Sequence, residues 1–259
     1  MKINKIIMCL DNNKNYTCYW NIVSDVWINL YKIDPVLIFV GSEEDLESNN
    51  FKHKEKIIKI DKLNLPLCHI TWSLFWATQF FENETCMITG IDQIPLSKFF
   101  INEIEKIPEE KYVVGISDCY ENYTKDVLGY FNTKTNVLYP SSHQVAKGKI
   151  FKKIFDLSAS WEEEGNKFIN SAERYYISAE NLWGLDECYS SEKISIYDQS
   201  KIEYLKIGKS WFLKNRIYLG STNYSMQEVK KGSYSEVTYK PCYHYANEAI
   251  NIIESINLL

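Results

Sequence analysis

Apolar positions in the first 120 residues fall into short runs separated by longer periodic stretches, and this alternation predicts a parallel sheet with crossover helices. Lys5–Leu10 is a short apolar run that stops at Asp11-Asn12-Asn13, so it reads as a buried strand delivered into a loop. Tyr19, Val23, Val26, Trp27 and Leu30 recur at helical spacing and predict a helix over 19–30. Pro35–Gly41 predicts a second strand and Glu55–Ile60 a third. Ile70–Phe81 is aromatic and apolar nearly all round, which predicts a buried helix, and Cys86–Thr89 predicts a fourth strand ending at Gly90-Ile91-Asp92. A further apolar run, Tyr112–Ile116, ends at Ser117-Asp118.

Strand, helix, strand in this order implies right-handed crossovers and an α/β layer structure with helices on both faces of a mainly parallel sheet. Ligands of such sheets bind outside the carboxyl ends of the strands, which singles out Asp11, Asn12, Asn13, Asp92 and Asp118. The second half is less periodic. Asn132–Pro140 reads as a strand or hairpin, Lys149–Phe155 and Glu163–Asn181 as helices, Trp211–Leu219 as a strand, and Tyr243–Leu258 as an amphipathic helix. There is no internal repeat and no linker, so a single domain over 1–259 is expected.

Composition narrows the function classes. With 45% hydrophobic residues, 10 Gly and 6 Pro among 259, disorder and low complexity are excluded. The net charge of -5 and the mixed distribution of Lys, Asp and Glu leave no basic patch for a nucleic-acid partner. Seven cysteines form no CxxC pair, and Cys9 and Cys86 lie in apolar runs where a reduced thiol behaves as a small hydrophobe. The N-terminal apolar run breaks at Asp11, too short for a signal core or a membrane span. The expectation is a cytoplasmic protein without an integral membrane segment.

Glycine-rich dinucleotide loops, the P-loop, GxSxG and HExxH are absent, and His53, His69, His143 and His244 have no metal-site spacing. The strongest signal is Met87–Leu96. A buried strand that ends in Asp92 and turns at once through Pro95 holds a carboxylate at the sheet edge, where it can ligate a hard cation between diphosphate oxygens.

This segment resembles the DxD motif of GT-A glycosyltransferases, in particular bacterial and viral members with Ser-Asp-x-Asp-Met-x-Pro-Leu at this strand end. Asp92 matches the second Asp, the usual metal ligand. Asp11-Asn12-Asn13 with Tyr16 resembles the first-strand loop near the nucleotide, and Pro35–Gly41 resembles the second strand. Tyr139-Pro-Ser-Ser-His143 through Gly148–Phe151 resembles an acceptor-side segment, Trp183-Gly-Leu-Asp-Glu187 a helix near the sugar, and Tyr234–Tyr243 the late Asp-x-His segment.

The resemblance implies a nucleoside diphosphate sugar as donor, a carbohydrate acceptor and Mn2+ or Mg2+ held by Asp92, in surface-polysaccharide or glycan assembly. It puts Asp11, Asn12, Asn13, Tyr16, Gly90, Asp92, His143 and Trp183 around the donor, and makes Asp186 or Glu187 a base or sugar-hydroxyl ligand. Residues 1–120 become the nucleotide-sugar half and 121–259 the acceptor half. The pattern also departs from the family: Gly90 stands at the first Asp, and Thr238, near Glu236, at the late His. Fewer charged ligands weaken a hard divalent site.

Two other readings stay open. One is a glycosyltransferase-like binding or scaffold protein, motivated by Gly90 and Thr238; the other is a nucleotidyl or phosphoryl transferase using Asp92 and Asp118 on Mg2+. Structural roles also compete at single residues. Asp11 could cap the following helix, Asp92 could form a turn, and His143 could be a surface or core histidine. Trp72, Phe75, Trp76, Phe80 and Phe81 read as core, whereas Tyr139 and Trp183 are candidate sugar-stacking faces.

Overall fold

An apolar run without alternation needs cover on both faces, and Lys5–Leu10 has it. In a computed structural model, which describes residues 1–64, 68–121, 137–175, 184–220, 224–238 and 242–257, it forms strand β1 inside a seven-stranded sheet. The other strands are β2 (Asp34–Val40), β3 (Ile57–Ile60), β4 (Thr85–Ile88), β6 (Tyr112–Val114), β7 (Gln144–Lys147) and β8 (Ile202–Tyr204), in the order β3-β2-β1-β4-β7-β6-β8. All pairings are parallel except the two made by β7. Strands β5 (Gln93–Pro95), β9 (Ile217–Tyr218) and β10 (Glu236–Thr238) make a second, three-stranded sheet with β10 in the middle.

The two faces of the large sheet nucleate two cores. Ile6, Met8 and Leu10 join Leu37, Phe39 and Met87 on one face. That face is covered by helices α1 (Tyr19–Val26), α4 (Phe99–Glu105), α8 (Met226–Lys230) and α9 (Cys242–Asn257). Ile7, Ile38 and Ile88 turn to the other face, under α3 (Cys68–Ala77), α5 (Gly148–Phe155), α6 (Trp161–Asn170) and α7 (Leu185–Ile196). Short α2 (Glu43–Glu47) lies beyond β2. A mainly parallel sheet with helices on both faces is the expected architecture. Among the described residues no helix is long and apolar enough to cross a membrane.

Aromatics fill the second core. The Trp72 ring stacks on Phe168 at 4.8 Å and on Phe75 at 4.5 Å, and meets Phe155 and Tyr189 edge-on. The core reading therefore holds for Trp72, Phe75 and Trp76, whereas Phe80 is exposed. Fully buried Glu164 ties α3 to α6: its two oxygens accept from Trp72 Nε1 at 2.9 Å and from the Ser158 amide at 2.8 Å.

Several elements depart from expectation. The predicted strand over 211–219 is confined to Ile217–Tyr218, because Gly208–Phe212 closes into a helical turn. Asp118 causes this turn: its carboxylate accepts the Gly208 and Lys209 amides at 2.6 and 3.0 Å. The predicted helix over 163–181 starts earlier, at Trp161, where Ser160 caps it, and its α-helical part ends at Asn170. Most of the strand expected over 132–140 lies outside the described residues, as does Trp183. Cys9, Cys86, Cys119 and Cys188 form no disulfide, but Cys18 is disulfide-bonded, which departs from the reduced state expected throughout.

Glu164→Ala leaves the Trp72 indole and the Ser158 amide without their acceptor, at a cost of about 1–3 kcal/mol for each donor stranded. Urea denaturation should register that loss, and an unchanged unfolding midpoint would contradict it.

Candidate active site

Parallel pairing of β1 with β2 and β4 points their carboxyl ends to one edge, and a pocket of about 490 Å³ opens there. Its size and its mixture of apolar and polar walls suit a small organic ligand. Asp11, Asn13 and Tyr16 come from the loop after β1, and Gly90, Asp92 and Gln93 from the turn after β4. Tyr120 closes it from the loop after β6, and Ser141, Ser142, Glu187, Arg216 and Thr238 from the second half of the chain.

Local hydrogen bonds set these loops. The Asp11 carboxylate accepts the Asn13 amide at 3.1 Å and the Asn13 carbonyl accepts the Tyr16 amide at 2.9 Å, so Asp11 shapes the loop instead of capping α1. Gln93 Oε1 accepts from the Gly90 amide and the Thr89 hydroxyl, both at 2.8 Å, fixing the turn that carries Asp92. At Gly184 the backbone takes φ 85°, a left-handed value suited to glycine, immediately before α7 turns Asp186 and Glu187 inward.

Two segments singled out separately in the sequence meet here. Ser141, from the loop before β7, hydrogen-bonds the Asp186 carboxylate with its side chain and Glu187 with its backbone. The Tyr120 hydroxyl donates to Glu187 Oε1 at 2.7 Å.

Other candidates face elsewhere. The Asn12 amide donates to Asp45 Oδ1 at 2.8 Å and its oxygen accepts from Asn49, so its side chain is engaged with α2. Asp186 is buried behind Glu187 and does not line the pocket. His143 is buried next to Phe100 and Phe212, with Nε2 3.4 Å from Glu236. The core reading thus fits it better than a place on the donor. Tyr139 packs its ring on Tyr204 and is absent from the pocket wall. Asp118, spent on the 208–212 turn, does not join Asp92, which removes the second ligand of a nucleotidyl-transfer site.

Burial alters the charges that remain. Desolvation, with Glu236 adding to it, pushes the Asp92 carboxyl up to about 6 against the opposing pull of its own backbone and Arg216. Desolvation and then Asp186 push Glu187 up to about 8, so at neutral pH it is chiefly a neutral acid. Cys9 in the wall is no nucleophile, because burial and the nearby Asp186 and Asp11 raise its thiol far above the ordinary range.

Sequence reasoning passed over Arg216, which the small sheet brings to the pocket. Parallel pairing of β9 with β10 sets Val237 opposite Ile217, so the preceding residues Glu236 and Arg216 adjoin. Arg216 Nη2 lies 2.6 Å from Glu236 Oε1. A signal was present: only two of the 29 basic residues are arginine, at 174 and 216, and the latter falls within an apolar and aromatic stretch.

A divalent cation does not suit these side chains. Among the described residues no three His, Cys, Asp or Glu groups gather around a possible ion. Gly90 supplies no first carboxylate, and a Cβ there would lie 2.7 Å from Asp92 Oδ1, so a larger residue would require the Asp92 carboxylate to turn away. Thr238 supplies no charge at the other expected position, and a guanidinium already sits beside Asp92.

No family model and no curated protein sequence matches the chain. Among solved structures it is similar to the galactosyltransferase LgtC in complex with donor and acceptor sugar analogues. Identity is 11% and the TM-score 0.46, over 98% of this chain and 96% of that one. The glycosyltransferase GlyE of Streptococcus pneumoniae is 10% identical at a TM-score of 0.44, over 79% of this chain and 46% of that one. A putative glucose-1-phosphate thymidylyltransferase from Bacillus anthracis is 13% identical at 0.40, over 78% and 85%.

The Glu187 shift has a stability consequence of definite sign. Between its ordinary value of 4.5 and about 8 the folded protein keeps a proton that the unfolded chain has released. This contribution is therefore full at low pH and is lost as pH rises through about 8. Glu187→Gln should raise the melting temperature relative to wild type more at pH 9 than at pH 5. A difference independent of pH would contradict the shift.

Proposed function

We propose that the protein is a glycosyltransferase, moving a hexose or related sugar from a nucleoside diphosphate to a carbohydrate acceptor. The observation that carries this reading is the convergence, in one pocket at the carboxyl edge of the sheet, of Asp11, Asn13, Tyr16, Asp92 and Glu187. These residues come from the segments whose order in the sequence resembles GT-A enzymes. The first 120 residues would supply the nucleotide wall, and the loop before β7 with the start of α7 would supply the sugar and acceptor wall.

Transfer breaks the bond between the anomeric carbon and a phosphate oxygen, with the electron pair leaving on oxygen. The acceptor oxygen forms the new bond, and its proton passes to the leaving diphosphate or to water. Positive charge develops on the ring, as in glycoside hydrolysis, and negative charge on the diphosphate. In this reading the Asn13–Tyr16 loop holds the nucleoside and ionised Asp92 accepts from a ribose or sugar hydroxyl. Glu187, neutral at pH 7 and fixed by Tyr120, donates to a sugar hydroxyl, and the charge of the adjacent Asp186 favours its protonated form.

A panel of nucleoside diphosphate sugars tests donor binding by thermal shift. A donor at a hundred times its Kd stabilises the fold by about 2.7 kcal/mol. At least one donor should raise the melting temperature, Asp92→Ala should remove most of the rise, and the same donor should give product with a sugar acceptor. No shift with any donor contradicts the reading; a shift unaffected by Asp92→Ala and without turnover favours the scaffold alternative that Gly90 and Thr238 suggest.

A further inference from the structure

The donor reading leaves an electrostatic demand that the pocket must meet. A nucleoside diphosphate arrives with negative charge and leaves with more, yet the chain carries a net charge of -5 and the pocket wall includes Asp11, Asp92 and Glu187. Stabilising that charge takes a cation, basic side chains or oriented amides. Among the described residues lining the pocket, the one basic side chain is Arg216.

The fold holds this arginine firmly. Parallel pairing of β9 and β10 sets it against buried Glu236, 2.6 Å away, and the other Glu236 oxygen faces His143 Nε2 at 3.4 Å. The guanidinium carbon lies 5.6 Å from the Phe212 ring centre, and Tyr218 hydrogen-bonds the group. Burial opposes the charge of Arg216, but Glu236 and Tyr218 more than offset it, so the group stays a cation. Its Nε is buried without a hydrogen-bond partner, which leaves donor capacity unused. A guanidinium so placed matches the planar, multi-oxygen geometry of a phosphate.

Gly90 and Thr238, which weaken any divalent site, frame the same place. We propose that Arg216, braced by Glu236, receives the diphosphate of the donor in place of a metal ion, so that nucleotide binding and leaving-group stabilisation need no divalent cation. This rests on the donor-site reading above. Arg216 is then a diphosphate-binding residue, and Glu236 and His143 position it from below.

Isothermal titration of the full chain in EDTA tests this, using the nucleoside diphosphates of the five common bases and their matching nucleosides. At least one diphosphate should bind, and adding Mn2+ after removal of EDTA should change its Kd by less than about threefold. Arg216→Gln should weaken that diphosphate by about tenfold or more, the size of a lost charge-assisted contact. The matching nucleoside should bind as before.

Arg216→Gln alone strands the buried Glu236 charge, so R216Q/E236Q, which leaves neither charge, is the companion variant. It should show the same selective loss. Diphosphate binding that survives both variants, or that vanishes in EDTA and returns only with Mn2+, overturns the arginine assignment and leaves the donor site standing. Absence of binding by every diphosphate and nucleoside, with or without Mn2+, overturns the donor site and this assignment together.

Discussion

Everything at the site depends on the direction of β1. Because Ile6, Met8 and Leu10 must be buried on one face and Ile7 on the other, the strand can sit only inside the sheet, paired on both edges. Both pairings are parallel, so the chain leaves β1 and β4 at the same edge and the polar segments that follow them are brought together. The small sheet extends that edge. Its strand β5 begins immediately after Asp92 and β9 immediately after Arg216, and the central β10 locks both into one register.

The electrostatic character of the pocket follows from this placement more than from residue counts. Formally the wall is acidic, but desolvation holds Glu187 largely protonated at neutral pH and brings Asp92 close to its titration point. The buried Glu236 is answered by Arg216 and faced by His143. An anionic ligand therefore meets less negative charge than the sequence suggests, and meets one fixed guanidinium in a partly dehydrated space where such contacts are stronger than in water.

Much of this was legible in the sequence, for physical reasons. Continuous apolar runs identified β1, β2 and β4 to within about a residue, because burial on both faces leaves few polar residues between the strand ends. The Ser42-Glu-Glu-Asp45 segment shows the opposite case. Its capping box, in which Asp45 and Ser42 exchange hydrogen bonds, builds a helix of five residues too short to show any period. Strand β7 was equally hidden, since four residues that include the buried Gln144 present no alternation. The turn at 208–212 could not be foreseen because Asp118, ninety positions away, creates it. Arg216 was missed on the same ground: its partner is supplied by a long-range strand pairing, and only the rarity of arginine marked it.

The account is tested most directly by a crystal structure of the protein with a bound nucleoside diphosphate sugar, grown without divalent cations. It predicts the nucleotide across the carboxyl ends of β1 and β4, with its nucleoside against Asn13 and Tyr16, its phosphates on Arg216 and its sugar toward Glu187. Density for the nucleotide at any other place on the molecule would contradict it.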